Sequence, residues 1–234
     1  MRPLCILLTG TPIASAERER GGWGALIRET TGAAWSGSWQ ELDCRTGEPF
    51  PDPAYVAGFV ITGSSASVTE RADWMLRTED YLRTAISRGA SVLGICFGHQ
   101  LLAQAMGGRV EKNPRGREIG TTEIEIVSQD PLLDAAAQPF MANMTHVDSV
   151  VEPPKSAKLI ARTPLDPHSG LRFSERVWGV QFHPEIDGDV MRKYICARRE
   201  LIDQEGLDAA AILAGARDAA PGAAVLQRFA GLVR

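Results

Sequence analysis

Val92-Leu93-Gly94-Ile95-Cys96-Phe97-Gly98 decides the fold. Its first four residues are apolar without alternation, as in a strand buried on both faces. A helical stretch, Gln100 to Met106, follows and stops at Gly107-Gly108. Upstream, Gly58 to Ile61 ends at Thr62-Gly63 and Leu4 to Leu8 ends at Thr9-Gly10, two more runs of the same kind. Between the second and third runs, Trp74, Tyr81, Leu82 and Ile86 share a helical face that Gly89 is placed to close. Strand, helix, strand with doubly buried strands means an α/β fold: an open, mostly parallel twisted sheet with helices on both faces.

Downstream, Thr122 to Val127 alternates as a half-exposed strand, and Lys158 to Ala161 and Val177 to Phe182 are further strands. From Asp187 the chain reads as helix, in segments broken at Gly206 and Pro221-Gly222. The last segment puts Val225, Leu226, Phe229 and Leu232-Val233 on one stripe. The expectation is a single domain over 1–234, with 187–234 as a helical extension packed on it.

The 234 residues carry a net charge of -4, which offers no general attraction for nucleic acid or an anionic membrane. No apolar run approaches a membrane span, and the first residues lack the pattern of a secretory signal, so a cytoplasmic location is expected. The 4 cysteines form no C-x-x-C pair, so neither a zinc site nor a redox dithiol is expected. No metal or other cofactor is called for.

Cys96 stands where a buried strand meets a helix, flanked two residues away by Gly94 and Gly98, the cysteine counterpart of the G-x-S-x-G nucleophile turn. A nucleophile at the tip of so tight a turn has strained backbone angles and no room for side chains on either side. The helix start favours thiolate and offers amides to an oxyanion. On this turn alone, an inert strand-end thiol stays as open as a nucleophile. Trp178-Gly179-Val180-Gln181-Phe182 then runs into His183-Pro184-Glu185. In an extended segment His183 and Glu185 project to one side, where the carboxylate orients the imidazole as the base half of a triad. Both motifs sit at strand C-termini, where open α/β sheets keep their sites.

With these motifs in hand, the sequence resembles the class I, triad-type glutamine amidotransferases, and within them free-standing members similar to the amidotransferase domain of GMP synthase and the plant γ-glutamyl peptidases. Gly94 to Gln100 resembles the family's nucleophile motif and Gly179 to Glu185 its histidine–glutamate motif. Ile61-Thr62-Gly63-Ser64-Ser65 stands at its oxyanion loop, and Asn143-Met144-Thr145-His146-Val147-Asp148 resembles its serine–histidine–x–aspartate segment. The resemblance implies a flavodoxin-like sheet and catalysis by Cys96, His183 and Glu185. It implies oxyanion donation by the backbone amides of Ser64 and Phe97, and a substrate pocket including Gly63, Gln100, Thr145 and His146. Many relatives have glycine where Ser64 stands and proline where Ser65 stands, so a reshaped loop that still donates is expected. No synthetase domain follows in this sequence; ammonia would go to a separate synthetase subunit, or amide hydrolysis is itself the task.

Three functions compete: a glutaminase or amidotransferase, a γ-glutamyl peptidase using the same triad, and a catalytically silent binding member of the fold. The intact Cys96, His183 and Glu185 argue against the third. Elsewhere, Cys5 and Cys196 are expected to be buried and Cys44 an exposed bystander beside Arg45. His99 and His168 are expected to be structural, Trp35 and Trp39 to pack at a sheet edge, and Arg192-Lys193 and Arg198-Arg199-Glu200 to form a solvated helix face.

Overall fold

The computed structural model describes residues 1–133 and 139–233. Its strands are β1 Leu4–Leu8, β2 Trp39–Asp43, β3 Gly58–Ile61, β4 Val92–Ile95, β5 Arg109–Lys112, β6 Glu118–Ile126, β7 Phe140–His146, β8 Asp148–Glu152, β9 Lys158–Arg162, β10 Gly170–Ser174 and β11 Val177–Val180. Its helices are α1 Ala14–Arg20, α2 Trp23–Thr31, α3 Asp73–Ser87, α4 Phe97–Ala105, α5 Gly188–Ala197, α6 Arg199–Gln204, α7 Ala209–Gly215 and α8 Ala220–Leu232.

Nine strands form one sheet in the order β2-β1-β3-β4-β11-β10-β9-β6-β7, and β5 pairs with β8. The run from β2 to β11 is parallel; beyond β11 the sheet continues antiparallel. The parallel strands show no polar alternation because both their faces are covered. Ile6, Val60 and Leu93 enter one apolar layer, which α8 closes with Val225, Leu226 and Phe229. Their neighbours Cys5, Leu7, Phe59, Ile61 and Val92 enter the other, closed by Met75 and Leu82 of α3 and Leu101 and Leu102 of α4. Because β1, β3, β4 and β11 are parallel, the loops that follow them emerge at one edge.

Trp35 packs edge-on against Trp39 at the start of the edge strand β2. The half-exposed strand expected at Thr122 to Val127 is the second half of β6. Three expectations are corrected. The strand expected to run to Phe182 ends at Val180. Pro221 does not break a helix but opens α8, in the first turn where its missing N–H costs nothing. Leu232 is 36% exposed while Val233 is buried, so the apolar stripe of α8 ends one residue off the expected position. No single helix among the described residues is long and apolar enough to cross a membrane.

Candidate active site

Cys96 is the residue between β4 and α4, and with φ 52° and ψ −102° it is one of two non-glycine residues at positive φ among the described residues. Its amide donates to Val180 O at 2.8 Å, tying the elbow to β11. The flanking glycines have a measurable reason. A Cβ on Gly94 would stand 2.4 Å from Gly98 O, and one on Gly98 would stand 2.6 Å from Ile61 O. Both obstacles are backbone, which cannot swing aside. Gly98→Ala should therefore lower stability by about 2–3 kcal/mol in urea unfolding; a change within error would show that the elbow can shift.

His183 and Glu185 meet through a turn rather than an extended segment. Ile186 N–H donates back to His183 O at 3.3 Å, with Pro184 at the second position of the turn, where its fixed φ is favoured. His183 Nδ1–H donates to Glu185 Oε1 at 2.8 Å, both groups being buried. With a carboxylate accepting from Nδ1, Nε2 is left for the reacting centre, and no other group takes it among the described residues. Trp23 stacks on the imidazole with ring centroids 5.6 Å apart. Opposite, a Cβ on Gly63 would meet His183 Cε1 at 2.9 Å, so glycine there makes room for the ring.

Electrostatics couple the two motifs. Burial opposes ionisation of the Cys96 thiol, but the positive charge of His183, helped by His146, outweighs it and holds the thiol below its ordinary 9.0. Burial likewise opposes charge on His183, yet Glu185 and the Cys96 thiolate hold its imidazole well above 6.5. Each charge favours the other, so the arrangement promotes a thiolate beside an imidazolium at the mouth of a cleft.

The thiol lies where two cavities meet. The larger, about 340 Å³, is lined by Ser64, Phe97, Gln100, Thr145, His146 and Arg198 among others. Phe97 opens α4, so its amide has no acceptor one turn back. The Ser64 hydroxyl accepts from Ala66 N–H at 3.1 Å, a turn in the loop that lines both cavities together with Cys96. Gln100 Nε2 donates to Asp148 O (2.8 Å) and to Gln181 Oε1 (3.0 Å). Both ring nitrogens of His146 face acceptors, Asp148 O at 2.9 Å and Glu118 Oε2 at 3.0 Å. Burial works against its charge, but the Glu118 hydrogen bond and nearby Asp166 raise its pKa, which favours positive charge on this second ring beside the thiol. Thr145 O is the nearest acceptor for Cys96 Sγ, at 4.0 Å. All nine sequence-predicted residues thus gather around one sulfur; Gly63 lies against His183 rather than in the wall of the larger cavity.

Three readings are corrected. Arg198 is not part of a solvated face: it sits at the junction of α5 and α6, points into the cleft and donates to Thr145 Oγ1. Its stacking on Tyr194, 4.9 Å from the ring centroid, was a readable i,i+4 signal, but the turn that aims it at the cleft was not. Cys44 is buried under the sheet, and burial pushes its thiol up to about 12. Cys196 is exposed, because it lies on the outer face of α5. His99 and His168 are structural: His99 Nε2 lies 3.0 Å from His168 O, and His168 Nδ1 lies 2.6 Å from Val150 O.

A model of the glutamine amidotransferase class-I family matches residues 53–201, which hold every motif above. The chain belongs to that family. It is 41% identical over 130 residues to the glutamine-hydrolyzing GMP synthase of Aeropyrum pernix, a match covering 56% of this chain and 24% of that protein. It is 34% identical over 139 residues to gamma-glutamyl peptidase 4 of Arabidopsis thaliana, covering 57% of this chain and 55% of that protein. The chain therefore spans about a quarter of the one relative and about half of the other. In fold, the whole chain superposes on a glutamine amidotransferase of Thermotoga maritima with a TM-score of 0.75 at 19% identity, over 98% of that chain. It also superposes on one of Methylobacillus flagellatus with a TM-score of 0.76 at 22% identity, over 92% of that chain. The amidotransferase sheet, with its mixed strands and flanking helices, is common to all three.

Proposed function

We propose that this amidotransferase hydrolyses the side-chain amide of glutamine through a γ-glutamyl thioester on Cys96. The single observation that carries the reading is the buried His183–Glu185 pair with its free Nε2 turned to a thiol held below its ordinary pKa. The thiolate attacks the amide carbon, and the carbonyl oxygen takes negative charge that the Ser64 and Phe97 amides stabilise. As the C–N bond breaks, His183 gives its proton to the departing nitrogen, which leaves as ammonia. Water then attacks the thioester, His183 takes its proton, and glutamate departs as the C–S bond breaks. The segment 187–234, read as part of the same domain, contributes Arg198 and Tyr194 to the cleft. No cofactor enters the scheme. A cytoplasmic setting suits a free thiol nucleophile, and the ammonia would pass to a separate synthetase subunit.

The test is ammonia and glutamate release from glutamine by the purified chain, with Cys96→Ala as the control; no release above that control would overturn the reading. A second test reads the thiol directly. Iodoacetamide should label Cys96 and the exposed Cys196 at neutral pH, whereas Cys5 and Cys44, both pushed up to about 12 and buried, should resist. Glutamine should protect Cys96 only. In His183→Ala, burial and Glu185 oppose the thiolate with His146 alone against them. The alkylation midpoint of Cys96 should then move to higher pH than in the wild type. An unmoved midpoint would mean that His183 does not set the thiol's charge.

A further inference from the structure

Two imidazoles bear on the sulfur, and only one of them belongs to the triad. His146 lines the larger cavity with Cys96, and its side chain is 1% exposed. Neither of its nitrogens is free. Nδ1 faces Asp148 O at 2.9 Å and Nε2 faces Glu118 Oε2 at 3.0 Å. A neutral imidazole carries one N–H, so a neutral His146 would set a lone pair against one of these acceptors in a buried site. A ring protonated on both nitrogens satisfies both.

The acceptor side is arranged for charge as well. The Thr163 hydroxyl accepts from Asp166 N–H at 2.8 Å and donates to Glu118 Oε2 at 3.0 Å. That one carboxylate oxygen thus meets two donors, the hydroxyl and the ring, as suits an ionised Glu118. The other groups around His146 come from separate elements. Asp166, between β9 and β10, attracts positive charge to the ring, although burial pushes its own pKa up. His99 of α4, pushed down to about 3 by burial, adds no charge. Asp148 offers its backbone carbonyl, while its carboxylate accepts from the Ser67 hydroxyl. Arg117 and Arg198 share the cavity wall, Arg117 being held by both oxygens of Glu205. Cys96 completes the surroundings.

The two histidines therefore differ in kind. His183 keeps Nε2 open to the reacting centre, whereas both nitrogens of His146 are committed. In the scheme above His183 is uncharged while the thioester stands, so a charge that cannot leave its ring is the one that lasts through the cycle. We propose that Glu118 is a positioning residue for the reaction: it fixes His146 as a lasting imidazolium, whose charge favours the Cys96 thiolate and the oxyanion without entering proton transfer. The effect on turnover rests on the thioester reading; the charge relation does not need it.

The first measurement is the charge of His146, from the nitrogen NMR spectrum of histidine-labelled protein, with its resonances assigned by their loss in His146→Gln. At about pH 8, above the ordinary histidine range, the wild type should show both ring nitrogens protonated. Glu118→Gln, whose amide oxygen still accepts but carries no charge, should show one. Cys96→Ala should still show both. A singly protonated ring in the wild type would overturn the proposal with no variant having to fold. Two protons kept in Glu118→Gln, or one lost in Cys96→Ala, would overturn it by assigning the counter-charge elsewhere.

The second measurement is iodoacetamide alkylation of Cys96 against pH. Glu118→Gln should raise the midpoint by about one pH unit, because a thiolate without a neighbouring positive charge forms less readily. Glu118→Asp should restore part of the shift. An unmoved midpoint would overturn the proposal, since a merely structural Glu118 leaves the thiol's charge alone. In glutamine turnover the acid limb of kcat/KM should rise with the midpoint, lowering activity at acidic pH about tenfold. A limb that stays in place while the midpoint moves would overturn the role in the reaction. A wild type that hydrolyses no glutamine would sink the thioester reading alone, because the ring's charge and the alkylation midpoint are measured without substrate.

Discussion

Cys96→Ala should lose glutamine hydrolysis by roughly 10⁴-fold or more, to the limit of detection, while its circular dichroism and unfolding midpoint stay near those of the wild type. The sulfur sits at the mouth of two cavities, and its contact to Thr145 O spans 4.0 Å, so little packing is lost with it. Cys96→Gly sharpens the test. Both variants lack the nucleophile, but only glycine relaxes at φ 52°. Strain of about 1–3 kcal/mol at such a position, less the extra freedom of glycine in the unfolded chain, leaves Cys96→Gly about 1 kcal/mol more stable than Cys96→Ala. A glycine variant that is inactive and more stable would show that the elbow is held in a conformation the chemistry needs and the fold resists. Retained turnover in either variant would remove Cys96 from the mechanism.

His183→Ala should lose about as much activity as Cys96→Ala, because the proposed mechanism makes the imidazole both the thiolate's counter-charge and the proton donor to the leaving amine. Glu185→Gln should keep about 10- to 100-fold more activity than His183→Ala. Glutamine there still offers an oxygen to Nδ1–H, but it no longer supplies the negative charge that raises the imidazole's pKa. The two variants should also differ in pH dependence. With Glu185 neutral, the imidazolium loses its proton at a lower pH, so the basic limb of kcat/KM moves down in Glu185→Gln. Equal losses in both variants would mean that Glu185 does more than orient and charge the ring; no loss at Glu185 would dismiss it from the triad.

Much of this could be read from the chain alone. The doubly apolar strands β1, β3 and β4, the α3 stripe and the Gly94–Gly98 elbow are local patterns, and local patterns survive in a sequence because burial and backbone sterics act on each residue in place. Cys96, His183 and Glu185 were legible for the same reason, since each follows a strand whose end is marked. Other features rest on contacts between distant segments. β7 and β10 carry no clean alternation, and they are strands because β6, β9 and β11 offer them edges. Cys44 looked exposed beside Arg45, yet pairing of β1 with β2 carries it under the sheet.

The parallel core, the elbow and the placing of Cys96, His183 and Glu185 just beyond strand ends were all written within a few residues, by periodicity and turn chemistry. The environment of the sulfur, by contrast, came from contacts between segments far apart in the chain. Positive charge on His146 is favoured because Glu118, 28 residues away, meets its ring. Arg198 is a cleft residue because the α5–α6 junction folds back over Thr145. The cavity beside His183 exists because Pro12 and Ile13, Trp23 and Tyr194 converge from three separate segments. Charge and volume at a site are sums over whatever the fold brings near, and no local pattern records that sum.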